Sequence, residues 1–175
     1  CEIAGFTEPV QVGEALREMG QGESDFAANE GYSCLVYQDI GGVYSSDAIY
    51  IYVMDGKGRV VAERESSANR LEYRPSVVAA PWGGFVVAYH WTKDSTVEQD
   101  HVVARTLGHD GNWTDKGWII STKSSERSVR VRNLGDRVGL WWEEYRPKKD
   151  RYVDSYVEIV DGKKVAAKRP GEPPA

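Results

Sequence analysis

Apolar and polar positions alternate along most of the chain in short runs, and one order of runs recurs three times. Ile49, Ile51 and Val53 fall on one face of a strand while Tyr50 and Tyr52 take the other, the period of two that a half-buried β-strand needs. Phe85 to Tyr89 is apolar throughout, which predicts a strand covered on both faces. Three segments align: Ser33 to Gln38, Phe85 to His90 and Val138 to Glu143, with Tyr37, Tyr89 and Trp142 spaced 52 and then 53 residues apart. A polar loop follows each, then a second run ending in Asp-Gly: Ala48 to Asp55-Gly56, His101 to Asp110-Gly111, and Tyr152 to Asp161-Gly162. Asp-Gly after alternating apolar residues signals a hairpin turn. Shorter runs come next (Val60 to Ala62, Trp118 to Ile120, Val165 to Ala167), and another leads into each unit (Asp25 to Ala28, Ser76 to Ala79, Ser128 to Val131). The one helix signal is Gly13 to Gly20, and Glu8 to Val12 reads as an extra strand that completes a blade or pairs with an edge strand.

Four short antiparallel strands repeated at this period predict β-propeller blades. The expected organisation is an N-terminal segment over 1–23, three blades over 24–68, 69–124 and 125–169, and a Pro-rich tail over 170–175. A β-sandwich built from the same hairpins is the alternative fold. The wording of the middle unit, Phe85 to Trp91, Asp100 to Arg105, Gly108 to Asn112 and Trp118 to Thr122, resembles repeats of secreted bacterial propeller-like proteins. That resemblance spans about residues 24–169 and implies an extracytoplasmic, repeat-built protein of binding or surface function. The first unit departs from it at Cys34 and at the loop with Gly41-Gly42, the third at Arg127, Arg130 and Arg132.

Closed propellers typically need about 4–8 blades, so three stacked sheets leave two outer faces to be covered. Two copies closing one ring, further heterologous stacking, or a piece of a longer propeller each answer that need.

Composition agrees with β structure: 6 Trp, 10 Tyr and 18 Gly among 175 residues. The net charge of −5 argues against general nucleic-acid binding. It is unevenly placed, with 9 basic and 18 acidic residues in 1–122 (net −9) and 13 and 9 in 123–175 (net +4). Such a dipolar chain steers a partner, or a second copy, head to tail. No stretch of 18 apolar residues is present.

Cys1 suggests a processed chain and the lipid attachment site of a bacterial lipoprotein. A disulfide between Cys1 and Cys34 is the alternative, and would also place the protein outside the cytoplasm. Cys34 taken alone, in Cys34-Leu35-Val36-Tyr37, reads as a buried, inert thiol.

Candidate chemistry is sparse. Arg127, Arg130, Arg132 and Arg137 form the one basic cluster, with Arg130 and Arg132 on one strand face beside Ser128. Such a row suits an anionic sugar, a phosphate or an acidic protein surface, or pairs with acidic residues of an adjacent blade or copy. Trp82, Trp91, Trp113 and Tyr145 at loop ends are candidates for stacking on sugar rings. Glu143 and Glu144 point to opposite faces of a strand and cannot act as a glycosidase pair. His90 and His101 begin to approach a metal-ligand set, but no spacing completes one. No nucleophile elbow, P-loop or dinucleotide motif is present, so no cofactor is expected.

The sequence therefore predicts a non-enzymatic extracytoplasmic protein, at the outer membrane or cell surface or secreted, acting by self-assembly or protein binding through open blade faces and edge strands. The expected partner is another copy or another protein, with a glycan as the further option. Nucleic acid is not expected, and a membrane only through a lipid anchor on Cys1. A lectin-like carbohydrate-binding module is the alternative function, and a fragment of a larger secreted enzyme the third.

Overall fold

The computed structural model describes residues 21–39, 48–66, 71–92, 101–114, 118–119 and 126–165. These form three four-stranded antiparallel sheets. The first contains β1 (Gln21–Asn29), β2 (Tyr32–Asp39), β3 (Ala48–Asp55) and β4 (Val60–Glu65). The second contains β5 (Leu71–Ala79), β6 (Phe85–Thr92), β7 (His101–Leu107) and β8 (Trp118–Ile119). The third contains β9 (Glu126–Asn133), β10 (Val138–Arg146), β11 (Arg151–Val160) and β12 (Lys163–Val165), with one 3-10 turn over Pro147–Lys149. Every strand bonds only to its neighbours in sequence, in the orders β1-β2-β3-β4, β5-β6-β7-β8 and β9-β10-β11-β12. That meander is a propeller-like architecture and excludes the sandwich. The helix expected over Gly13 to Gly20, the strand over Glu8 to Val12, the Pro-rich tail and Cys1 lie outside the described residues.

Two apolar layers hold the sheets together. Cys34, Val36, Ile49, Ile51 and Val53 of the first sheet pack on Val77, Phe85, Val87, Tyr89 and Leu107 of the second. Val86, Ala88, Val102 and Ala104 pack on Val129, Val131, Val138, Leu140, Trp142, Val157 and Ile159 of the third. The central strand β6 therefore feeds both layers, odd positions one way and even positions the other, which is why its sequence shows no alternation.

Polar side chains lock the layers in register. Asn29 Nδ2 donates to the carbonyls of Ala80 (3.0 Å) and Gly84 (2.8 Å), and Asn133 Nδ2 to that of Ala79 (2.9 Å). The Asp110-Gly111 turn docks sideways on the first sheet. Gly111, at φ +74°, sits so close to Ala62 that any side chain would overlap it, and Arg64 donates to the Gly111 carbonyl and to Asn112 Oδ1.

Candidate functional site

β1, β5 and β9 are each paired on one side only within their own sheet, and they face one another across the sheets. Each carries one extra residue at the same place. The ladder to the next strand slips between Gln21 and Ser24, between Tyr73 and Ser76, and between Arg127 and Arg130. Gly22, Arg74 and Ser128 each follow the last regular pair before the slip, and pairing resumes at Ser24, Ser76 and Arg130. Arg74 (φ 54°) and Ser128 (φ 60°) are left-handed, a conformation that costs a non-glycine residue on the order of 1–3 kcal/mol and clusters at functional sites. Bulges of this kind re-aim side chains and are frequent beside active sites.

The bulges are wired together. Asp25 Oδ2 accepts from Ser76 Oγ (3.0 Å) and from the Val77 N–H (2.9 Å), and Ser76 Oγ in turn accepts the Val131 N–H (3.4 Å). His90, fully buried and stacked on Tyr73, accepts the Val129 N–H at Nε2 (3.1 Å). Arg74 lies 3.8 Å from Glu23 and donates its backbone N–H to Gln38 Oε1 (3.3 Å).

The third bulge opens onto a pocket of about 270 Å³ lined by Ser128, Arg130, Arg132, Trp141, Trp142, Glu143 and Asp154. Its floor is the face of the third sheet turned away from the core, and the register sets out a grid. Arg132, Gly139 and Glu158 form one row, Arg130, Trp141 and Tyr156 the next, and Glu143 pairs directly with Asp154 in the third. The strand β9 thus supplies positive charge, β10 an indole, and β11 phenol and carboxylate. The Trp141 ring lies over Gly139, where even a methyl group would overlap it, and meets Tyr156 at a tilt, centroids 4.8 Å apart. Tyr156 donates to Glu158 Oε1 (3.0 Å), and burial together with that bond pushes its phenol up to about 12. Trp142 is 6 % exposed and its Nε1 has no hydrogen-bond partner among the described residues.

Of the arginines singled out in the sequence, Arg130 and Arg132 line this pocket. Arg130 is exposed and forms no ion pair among the described residues. Arg137 stands apart, bridging Asp136 (2.8 Å) and Glu158 (3.1 Å) at the edge of the sheet. The side chain of Arg127 lies outside the described residues, though its backbone pairs with Glu143. The aromatic candidates do not converge. Trp82 packs against the layer between the second and third sheets, and Trp91 sits beside His101 at 5.4 Å. Trp113 lies under the Arg105 guanidinium at 3.9 Å, and the Tyr145 hydroxyl donates to Asp150 Oδ1 (2.5 Å). Cys34 is a free, fully buried thiol; burial, with the nearby Asp25 carboxylate, pushes it up to about 12. Glu144 is turned away from Glu143, bonded to Arg146 (2.8 Å) and Ser155 (3.1 Å).

Glu143 finds its carboxylate partner instead in Asp154, eleven residues on, which sequence reasoning missed. The signal lay in the hairpin: pairing Tyr145 with Tyr152 places Glu143 opposite Asp154. Pro75, inside β5, was the sequence sign of a bulge, since proline within a sheet is confined to edges and bulges. Among the described residues no group of His, Cys, Asp and Glu could hold a metal ion.

No family model matches the sequence, and no curated protein matches it either. Among solved structures, an endo-arabinase from Bacteroides thetaiotaomicron is similar, with a TM-score of 0.54 and 14 % identity over 80 % of this chain and 56 % of that one. At that identity the likeness concerns the fold, and the chain spans little more than half of that protein. It also corrects two expectations. A non-enzymatic protein acting by self-assembly or protein binding does not stand, nor does the exclusion of enzymes, because the scaffold this chain adopts also carries an endo-arabinase. The missing linear motif was a poor guide for a physical reason: on folds built from many short strands, a site is gathered from different strands and leaves no local signature.

Proposed function

We propose that the protein is a carbohydrate-recognising propeller-like module whose ligand sits in the pocket beside the third bulge. The observation that carries this is the grid itself: the Trp141 indole, 8 % exposed, set between guanidinium groups on one side and carboxylates on the other. Sugars are bound by that combination, because their C–H faces pack on aromatic rings while their hydroxyls bridge charged groups. The fold shared with an endo-arabinase supports the same reading. Calorimetric titration with a panel of neutral and acidic oligosaccharides, arabino-oligosaccharides included, tests it. Binding should weaken roughly tenfold in Asp154→Asn, the loss of one charged hydrogen bond. A folded protein that binds no member of the panel defeats the reading.

Hydrolysis is the second reading, favoured by one observation. Glu143 and Asp154 are directly opposed across β10 and β11, a relation that brings Cβ atoms to about 4.5–5.5 Å. Glycosidases need two carboxyl groups about 5–9.5 Å apart. Release of new reducing ends, lost in both Glu143→Gln and Asp154→Asn, would establish it.

A further inference from the structure

Charge is not mixed evenly across the pocket. Arg130 and Arg132 stand on β9, and Glu143 and Asp154 stand at the other side and end of the grid, with Trp141 between. A uniformly neutral ligand leaves the exposed Arg130 guanidinium with no counter-charge, and a polyanion meets the carboxylates. The ligand that matches carries one carboxylate at one end and hydroxyls at the other. Its carboxylate is drawn to Arg130, with Arg132 adding to the positive field, and is repelled by Glu143 and Asp154. Its hydroxyls then point toward those two acceptors. The charge pattern would thus fix the direction in which the sugar lies.

We propose that the pocket takes an acidic sugar, a uronate, with its carboxylate held by Arg130 and its hydroxyls by Glu143 and Asp154. This rests on the carbohydrate reading above and narrows it to a ligand class. The grid is on a rigid sheet, so no rearrangement is needed to present the guanidinium.

The test compares a uronic-acid trisaccharide with the neutral trisaccharide of the same linkage, titrated at about 0.02 M and about 0.3 M salt, the lower setting leaving exposed charges little screened. The acidic sugar should bind at least roughly tenfold tighter at low salt, the value of a charge-assisted bond, and the gap should shrink at high salt. Arg130→Gln should abolish the preference, and Arg130→Lys should retain part of it, since an ammonium attracts but does not form the fork. Both changes fall at an exposed position, so the melting temperature should stay within about 1 °C of the parent. Equal affinity for the two sugars, or a preference that survives Arg130→Gln, overturns the acidic-ligand proposal and leaves carbohydrate recognition standing. A chain that binds neither sugar, nor any of the earlier panel, overturns both.

Discussion

Gly139 shows how much one missing methyl group decides. It lies within the apolar run Val138 to Trp142, and it is the surface on which the Trp141 ring rests. Gly139→Ala should lift the indole, shift its fluorescence and remove ligand binding, at a stability cost of about 1–3 kcal/mol from overpacking. A variant that keeps both its emission and its affinity would show that the ring does not depend on that contact. Cys34 offers a second check at this scale. Its thiol, pushed from 9.0 up to about 12, stays protonated when folded, and the thiolate is the reactive form. Alkylation at pH 8 should be negligible in the native protein and rapid in denaturant. The sign of the linkage follows: a raised thiol contributes stability that is complete below pH 9 and is lost as the pH climbs from there toward 12. Residues of this kind differ in how far the sequence reveals them. Cys34 could be read as buried from its apolar neighbours, whereas nothing in the order of residues announces that Ser128 and Arg74 take left-handed backbone.

Strands were the best-read features of the chain. Asp-Gly turns, the period of two and the unalternating Phe85 to Tyr89 placed the hairpins, because each rests on backbone sterics and solvent exposure that act locally. The bulges escaped, since an extra residue in one strand is defined by its partner and leaves the strand's own pattern nearly intact. Asp154 escaped for the same reason: its importance comes from the strand opposite. Two substitutions test the elements. Phe85→Ala opens a cavity where β6 meets the first sheet and should cost about 3–5 kcal/mol in denaturant titration. Asp25→Ala strips the acceptor from the half-buried Ser76 hydroxyl and from the Val77 N–H and should cost about 1–3 kcal/mol, the penalty for donors left unpaired away from water. A loss below about 0.5 kcal/mol for Asp25→Ala would mean that the link between β1 and β5 is not structural.

On the scale of the molecule, the middle sheet is the keystone. Its two faces serve two separate apolar layers, so damage to it loosens both neighbours, while β4 and β12 lie at sheet edges. Native-state hydrogen exchange should therefore be slowest for amides of β6 and β7 and fastest for those of β4 and β12. Uniform protection across the three sheets would contradict that hierarchy. The architecture at this scale was legible from the repeat, but the function was not. A repeat reports how the backbone is folded, and the chemistry depends on which side chains it brings side by side.

The three bulges open at one address in three copies of the same unit, yet that address holds Gly22 in the first, Arg74 in the second and Ser128 in the third. A glycine, a guanidinium and a hydroxyl all fit, so the distortion comes from how the strands are counted against each other and not from the residue placed there. Recognition and folding are thereby written in separate scripts. Positions 22, 74 and 128 form a small editable alphabet on a fixed frame, and exchanging letters among them should change what the surface reads while the sheets beneath keep their shape.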